Sequence, residues 1–266
     1  LDNVININYY PTENARRSNM RHRPIGLGMM GYSEALIQAG VDWESQEHVR
    51  FADRLTELFS YFALEASSDL AIERGSYPTF EGSKWSRGIL PIDTAREQTT
   101  HLGEENWCVL REKIRNHGIR NCNVMAIAPT ATIANIAGTT ECTQSINDRV
   151  TVKENLSGSF KVINPLHKYH RPELVKTMFE VEPEWVIRAA AVRQKWLDQS
   201  QSLNIFKRPE HLGRDMSRWY LLAQELGLKT TYYLRNLRVT EDKMPKNETT
   251  EHREEPDTAY ECEACQ

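Results

Sequence analysis

Apolar residues recur at helical spacing from Ser45 to Gly75, where Phe51, Leu55, Leu58, Phe62, Leu64 and Leu70 predict one long helix. Ser45 is its expected N-cap and Gly75 its C-terminal stop. A second helix follows at NWCVLREKIRNHG, with Trp107, Leu110 and Ile114 on one face and Gly118 closing it. Between the two lies a loop punctuated by Pro78, Gly82, Gly88 and Pro91. Val124 to Ala128 is a short apolar run of strand length, ended by Pro129. Further along, SGSFKVINP predicts a strand, PEWVIRAAAVRQKWLDQ a helix after Pro183, and SQSLNIF a strand with its turn. MSRWYLLAQELG predicts a helix ended by Gly227, and LKTTYYLRNL a last strand. Strands alternating with helices predict an α/β fold with a mostly parallel sheet.

The opening segment LDNVININYYPTENARR reads as the tail of an amphipathic helix, with Leu1, Val4 and Ile5 on one face and a turn at Tyr10-Pro11-Thr12. A helix beginning without a cap suggests part of a longer polypeptide, or one half of a split protein.

Gly26, Gly28 and Gly31 have the G-x-G-x-x-G spacing of a dinucleotide cradle. That motif needs an apolar strand before it and a second strand about 20 residues on. Here NARRSNMRH precedes the glycines, and the long helix stands where the second strand should be. Close packing and a tight approach into a helix of Met30 to Ala39 is the better reading.

A chain of 266 residues can bury a real core. Its formal charge of −4 leaves no basic footprint for nucleic acid and no polybasic membrane anchor. No apolar run approaches the roughly 20 residues of a membrane span, and no signal peptide is visible. A cytoplasmic protein is expected. Five cysteines without framework spacing argue against a secreted disulfide scaffold. Cys108, Cys122 and Cys142 read as ordinary structural cysteines, and no metal site is expected. From about Arg238 to Gln266 apolar residues thin out and charges multiply, so residues 238–266 are expected to form a flexible, disordered tail beyond a folded part of residues 1–237.

Three features could carry chemistry. In APTATIANIAG a buried strand ends at Pro129, Thr130 or Thr132 can cap a short helix of Ile133 to Ala137, and Gly138 stops it. Free N–H groups there, at the carboxyl end of a strand, form an anion site or else an ordinary capped helix start. Tyr232 and Tyr233 are adjacent. They form either one core and one surface residue of a strand, or a redox pair, since a phenol can release an electron and a proton together. Cys262 and Cys265 form C-x-x-C, which suits a dithiol carrier of reducing equivalents. The zinc half-site alternative has only two thiolates, with His252 outside familiar ligand spacing. A flexible tail of this kind reaches roughly 25–33 Å.

Together these residues resemble the large subunit of ribonucleotide reductases. The segment from Trp107 to Pro129 resembles the family signature, and RPIGLG, ASSDLA, GILPIDT, PTATIANI, LSGSFKVINP, DQSQSLNIF and LGLKTTYYLR fit the same family in the same order. The resemblance implies replacement of a ribonucleotide 2′-OH by hydrogen through a thiyl radical. It implies the C-terminal half of a ten-stranded α/β barrel, in which the glycine triplet binds no dinucleotide. It also implies that Pro129, Thr130, Ala131, Thr132 and Ile133 hold the substrate diphosphate and that Tyr232 and Tyr233 relay the radical from a small, metal-containing subunit. Cys262 and Cys265 would re-reduce the active-site disulfide and be reduced in turn by thioredoxin or glutaredoxin.

The family's radical-bearing cysteine, its active-site disulfide and its sites for the effectors ATP and dATP all precede the point where this sequence begins. The expectation is that the chain binds no cofactor itself, is inactive alone, and works with an N-terminal half and a radical-generating small subunit carrying a di-metal/tyrosyl radical centre. An adenosylcobalamin-dependent reductase fragment and a non-catalytic interaction remnant of the fold are the alternatives. The tyrosine pair favours the two-subunit class.

Overall fold

A computed structural model describes residues 1–155, 158–163, 165–169 and 171–237. Thr12 caps α2 (Glu13–His22) by accepting from Ala15 N–H, and the chain then turns through Arg23 into an extended run. That polar stretch, read from its sequence only as unsuited to a buried strand, is therefore a helix. It follows α1 (Asp2–Ile7), of which the packed positions are Asp2 and Ile5 while Leu1 and Val4 are exposed. An ion cluster holds α1 where an apolar face was expected: Arg23 Nε donates to Asp2 at 2.7 Å, and Arg120 Nε approaches the same carboxylate at 3.3 Å.

The sheet is built from parallel extended runs. Leu27 bridges Met125, Ile127 bridges Gln201, and β3 (Ile205–Lys207) pairs with β4 (Leu234–Asn236), each in parallel. The runs lie side by side in chain order, and the segments joining them are helical. Between the first and second runs come α3 (Tyr32–Ala39), α4 (Gln46–Arg74) and α5 (Glu104–His117). Next are α6 (Ala131–Ala137) and the antiparallel hairpin of β1 (Val150–Asn155) with β2 (Gly158–Ile163). After them α7 (Pro183–Gln194) precedes the third run, and α8 (Gly213–Glu225) separates β3 from β4. The α/β reading holds. The strand at SGSFKVINP has as its partner β1, which periodicity had not marked.

The three glycines explain themselves here. A Cβ on Gly28 would lie 2.5 Å from the carbonyl oxygen of Ala126, and one on Gly26 would lie 3.1 Å from the Ala126 Cβ. Gly31, at φ +78°, turns the chain into α3. They let two backbones approach and let a helix begin.

Helix α4 has the expected limits, with Ser45 Oγ accepting from His48 N–H and Gly75 ending it. Its buried face, however, differs from the apolar stripe. Ala52, Asp53, Thr56, Glu57, Ser60, Leu64, Ser67, Ser68 and Ala71 point inward, and Leu58 and Phe62 are exposed. Small residues let α7 and α5 pack closely, and every buried polar group among them is matched. Ser60 Oγ donates to Trp196 O, Ser67 Oγ to Asn121, and Ser68 Oγ to Gly118 O. Asp53 accepts from Trp196 Nε1 at 2.6 Å and Lys195 Nζ at 3.0 Å. Glu57 accepts from Trp107 Nε1 at 2.9 Å and from two backbone N–H groups of the 101–102 loop. Trp107 stacks on Trp196 with centroids 5.3 Å apart, joining α5 and the end of α7 in the main core with Leu110, Ile114, Met125 and Ile127.

Candidate functional site

The run through Ile127 delivers Pro129 to the carboxyl end of the sheet, where α6 starts two residues earlier than its sequence suggests. Its first internal bond is Ala134 N–H to Thr130 O. The N–H groups of Ala131, Thr132 and Ile133 precede that ladder, and all three residues are exposed. Thr130 is the N-cap residue, but its hydroxyl does not cap the helix. Thr130 Oγ1 instead accepts from Cys142 N–H at 2.8 Å. Gly138, at φ +68°, stops α6 as expected.

Thr130 (φ 58°) and Cys142 (φ 33°) both occupy left-handed backbone, two of three non-glycine residues to do so among the described residues. For a β-branched threonine that conformation is costly and persists only where its surroundings over-determine it. Here the surroundings are the loop after α6. Glu34 of α3, buried, accepts from Thr139 Oγ1 and Thr140 N–H, each at 2.8 Å, and from Thr140 Oγ1. Ser145 donates from its hydroxyl to Lys176 O at 2.6 Å. Burial pushes the Cys142 thiol up to about 11, so it is a neutral, inert group at physiological pH.

The tyrosines lie level with the loop just past Pro129 across the parallel runs. Ser202 N–H donates to Ile127 O, Tyr232 N–H to Leu203 O, and Ile205 N–H to Tyr233 O. The runs thus advance in step, and Tyr232 and Tyr233 come level with the residues just past Pro129. In a regular strand two successive side chains leave opposite faces. Here they precede β4 and turn to the same side. Their ring centroids are 4.0 Å apart, and the Tyr232 hydroxyl donates to that of Tyr233 at 3.2 Å. Both are half-exposed, at 46% and 43%. The reading of one core and one surface residue is replaced by a pair of half-exposed rings in tilted contact. The Arg235 guanidinium stands 5.4 Å from the Tyr233 ring centroid.

Two polar side chains that periodicity passed over link these features. Asn204 Nδ2 donates to Gln144 Oε1 at 2.9 Å, and Asn204 Oδ1 accepts from Tyr233 N–H at 3.3 Å. Their signal was present in the sequence as amides inside otherwise apolar or tightly turned stretches. Cys262 and Cys265 lie outside the described residues. Among the described residues, no three His, Cys, Asp or Glu side chains are grouped as metal ligands. No helix among them is long and apolar enough to cross a membrane.

Fold and site define an α/β protein whose parallel wall presents a strained helix-start loop beside two hydrogen-bonded phenols. Comparison with known proteins gives that class its family: the family model for the ribonucleotide reductase barrel domain matches residues 1–234, and the chain belongs to this family. It is 43% identical to the ribonucleoside-diphosphate reductase subunit alpha of Chlamydia muridarum over 90% of its own length, and 42% identical to that of Helicobacter pylori over 89%. It is 35% identical to the ribonucleoside-diphosphate reductase large chain of Schizosaccharomyces pombe over 89% of its length. The chain spans 27%, 31% and 33% of these three relatives respectively.

Proposed function

We propose that this chain is the C-terminal part of a ribonucleotide reductase large subunit and that its runs belong to the C-terminal half of a ten-stranded barrel. It would work with an N-terminal half, with a small subunit whose di-metal/tyrosyl centre generates the radical, and with thioredoxin or glutaredoxin. The need for a further barrel half is supported by the sheet's margins. Among the described residues, the run at Leu27 and β4 each have a sheet partner on one side only.

In this reading Pro129, Thr130, Ala131, Thr132 and Ile133 receive the diphosphate of a ribonucleoside diphosphate. Exposed N–H groups at the start of α6 donate to its oxygens. Tyr232 and Tyr233 carry the radical. A phenoxyl on one takes a hydrogen atom from the other, so one O–H bond breaks as the other forms and neither residue acquires a charge. The 3.2 Å between their oxygens is within the reach such a transfer needs. At the sugar, exchange of the 2′-OH for hydrogen consumes two electrons and two protons and releases water. Cys262 and Cys265 would restore those equivalents by closing to a disulfide, leaving it for the external reductant to open.

The single observation that carries the reading is the tyrosine pair, in ring contact and hydrogen-bonded, level across the parallel runs with the residues just past Pro129. Its test is Tyr233→Phe in the complete reductase. The ring is kept and the transferable hydrogen is lost, so turnover is expected to vanish while diphosphate affinity stays unchanged. Unaltered turnover would remove the relay role.

A further inference from the structure

We propose that Asn204 and Gln144 are positioning residues that hold the tyrosine pair in fixed register with the 130–133 loop; this rests on the relay role of that pair. The segment 139–146 forms a strap with attachments at both features. At one end Cys142 N–H binds Thr130 Oγ1, joining two residues in left-handed backbone. Two residues further, Gln144 Oε1 accepts from Asn204 Nδ2, and Asn204 Oδ1 accepts the Tyr233 N–H. The strap itself is anchored by Glu34 through Thr139 and Thr140, and by Ser145 through Lys176 O. Gln144 and Asn204 are both buried, at 6% exposure each, whereas the phenols they serve are half-exposed.

Both rings face partly outward, while the backbone that carries them is held by the β3 ladder and by one buried amide. Asn204 uses its donor and its acceptor in different directions, one toward the strap and one toward the tyrosines. An apolar residue of the same size would fill the space and sever both links. Gln144 is held in turn by Nε2–H donation to Glu141 at 3.1 Å, so its carbonyl oxygen is presented to Asn204 in one orientation.

The test uses the complete reductase with its radical-generating partner. Asn204→Leu keeps the volume and removes both hydrogen bonds; Gln144→Met keeps the shape and removes the acceptor. Each is expected to lower kcat at least tenfold while KM for the ribonucleoside diphosphate stays within threefold. The double variant is expected to be no worse than Asn204→Leu alone, because both act through one connection. Additive losses, or a KM rise that matches the kcat loss, would overturn the proposal.

A spectroscopic arm separates it from the relay reading. With 3-aminotyrosine at position 232 and the strap intact, a trapped radical is expected by electron paramagnetic resonance, falling at least fivefold in Asn204→Leu. An undiminished signal in Asn204→Leu would sink the positioning role and leave the relay standing. No signal with the strap intact would sink the relay, and this proposal with it. Where Gln144→Met fails to fold, Gln144→Leu removes the same acceptor. Its kcat should fall with that of Asn204→Leu, and a kcat within threefold of the wild type would count against the proposal.

Discussion

His48 shows how a single side chain writes a pH dependence into the fold. It is fully buried beside Trp43, and its Nδ1 lies 2.8 Å from the Trp43 carbonyl, which can only accept, so Nδ1 carries the proton. Burial lowers the imidazole pKa to about 4, the Arg193 charge acts in the same direction, and the Trp43 bond and Asp42 oppose them. A depressed folded pKa means that protonation favours the unfolded chain. Stability from this residue is therefore complete above about 6.5 and is lost as pH falls toward 4. The shift corresponds to about 3 kcal/mol. Calorimetry between pH 7 and pH 4 should show a steep fall in Tm for the wild type and a shallower one for His48→Gln. Equal slopes would mean that His48 is not the titrating group.

At the scale of elements, the decisive contact is backbone against backbone. The runs at Leu27 and Met125 approach so closely that Gly28 has no room for a methyl group: its Cβ would meet the Ala126 carbonyl at 2.5 Å and the Ile127 Cα at 3.2 Å. Neither neighbour can rotate away. Gly28→Ala should cost about 2–3 kcal/mol through the forced backbone shift, read as a lower urea midpoint. Gly26→Ala, facing a side-chain methyl at 3.1 Å, should cost less. An unchanged midpoint for Gly28→Ala would show that close approach is not what requires the glycine. Helix α4 teaches the complementary lesson. Its limits were legible from Ser45 and Gly75, but the face it buries was not. Periodicity weighs side chains by hydrophobicity, while Asp53, Glu57, Ser60, Ser67 and Ser68 are buried because partners on α5, α7 and the loops satisfy them.

For the whole molecule, the expected traffic of reducing equivalents separates two roles. Replacing Cys262 or Cys265 with serine should stop repeated turnover driven by thioredoxin or glutaredoxin, and leave turnover driven by a small dithiol intact. Equal loss under both conditions would refute the shuttle. Taken alone, the sequence determined the α/β alternation, the helix from Gln46 to Arg74, the helix from Asn106 to its stop at Gly118 (which the structure begins two residues earlier), the stop at Gly138 and the candidate chemical residues. Those features depend on local spacing, caps and turn residues, which act within a few positions of the chain. Only the tertiary structure decided that Tyr232 and Tyr233 turn their rings into contact on the same side, that Thr130 bonds to Cys142 rather than capping α6, and that Asn204 joins Gln144 to Tyr233. The Asn204–Gln144 link depends on the register of parallel runs joined by long crossovers, where residues 60 positions apart meet, and the other two on how a loop folds back or a strand begins; no local pattern records any of them.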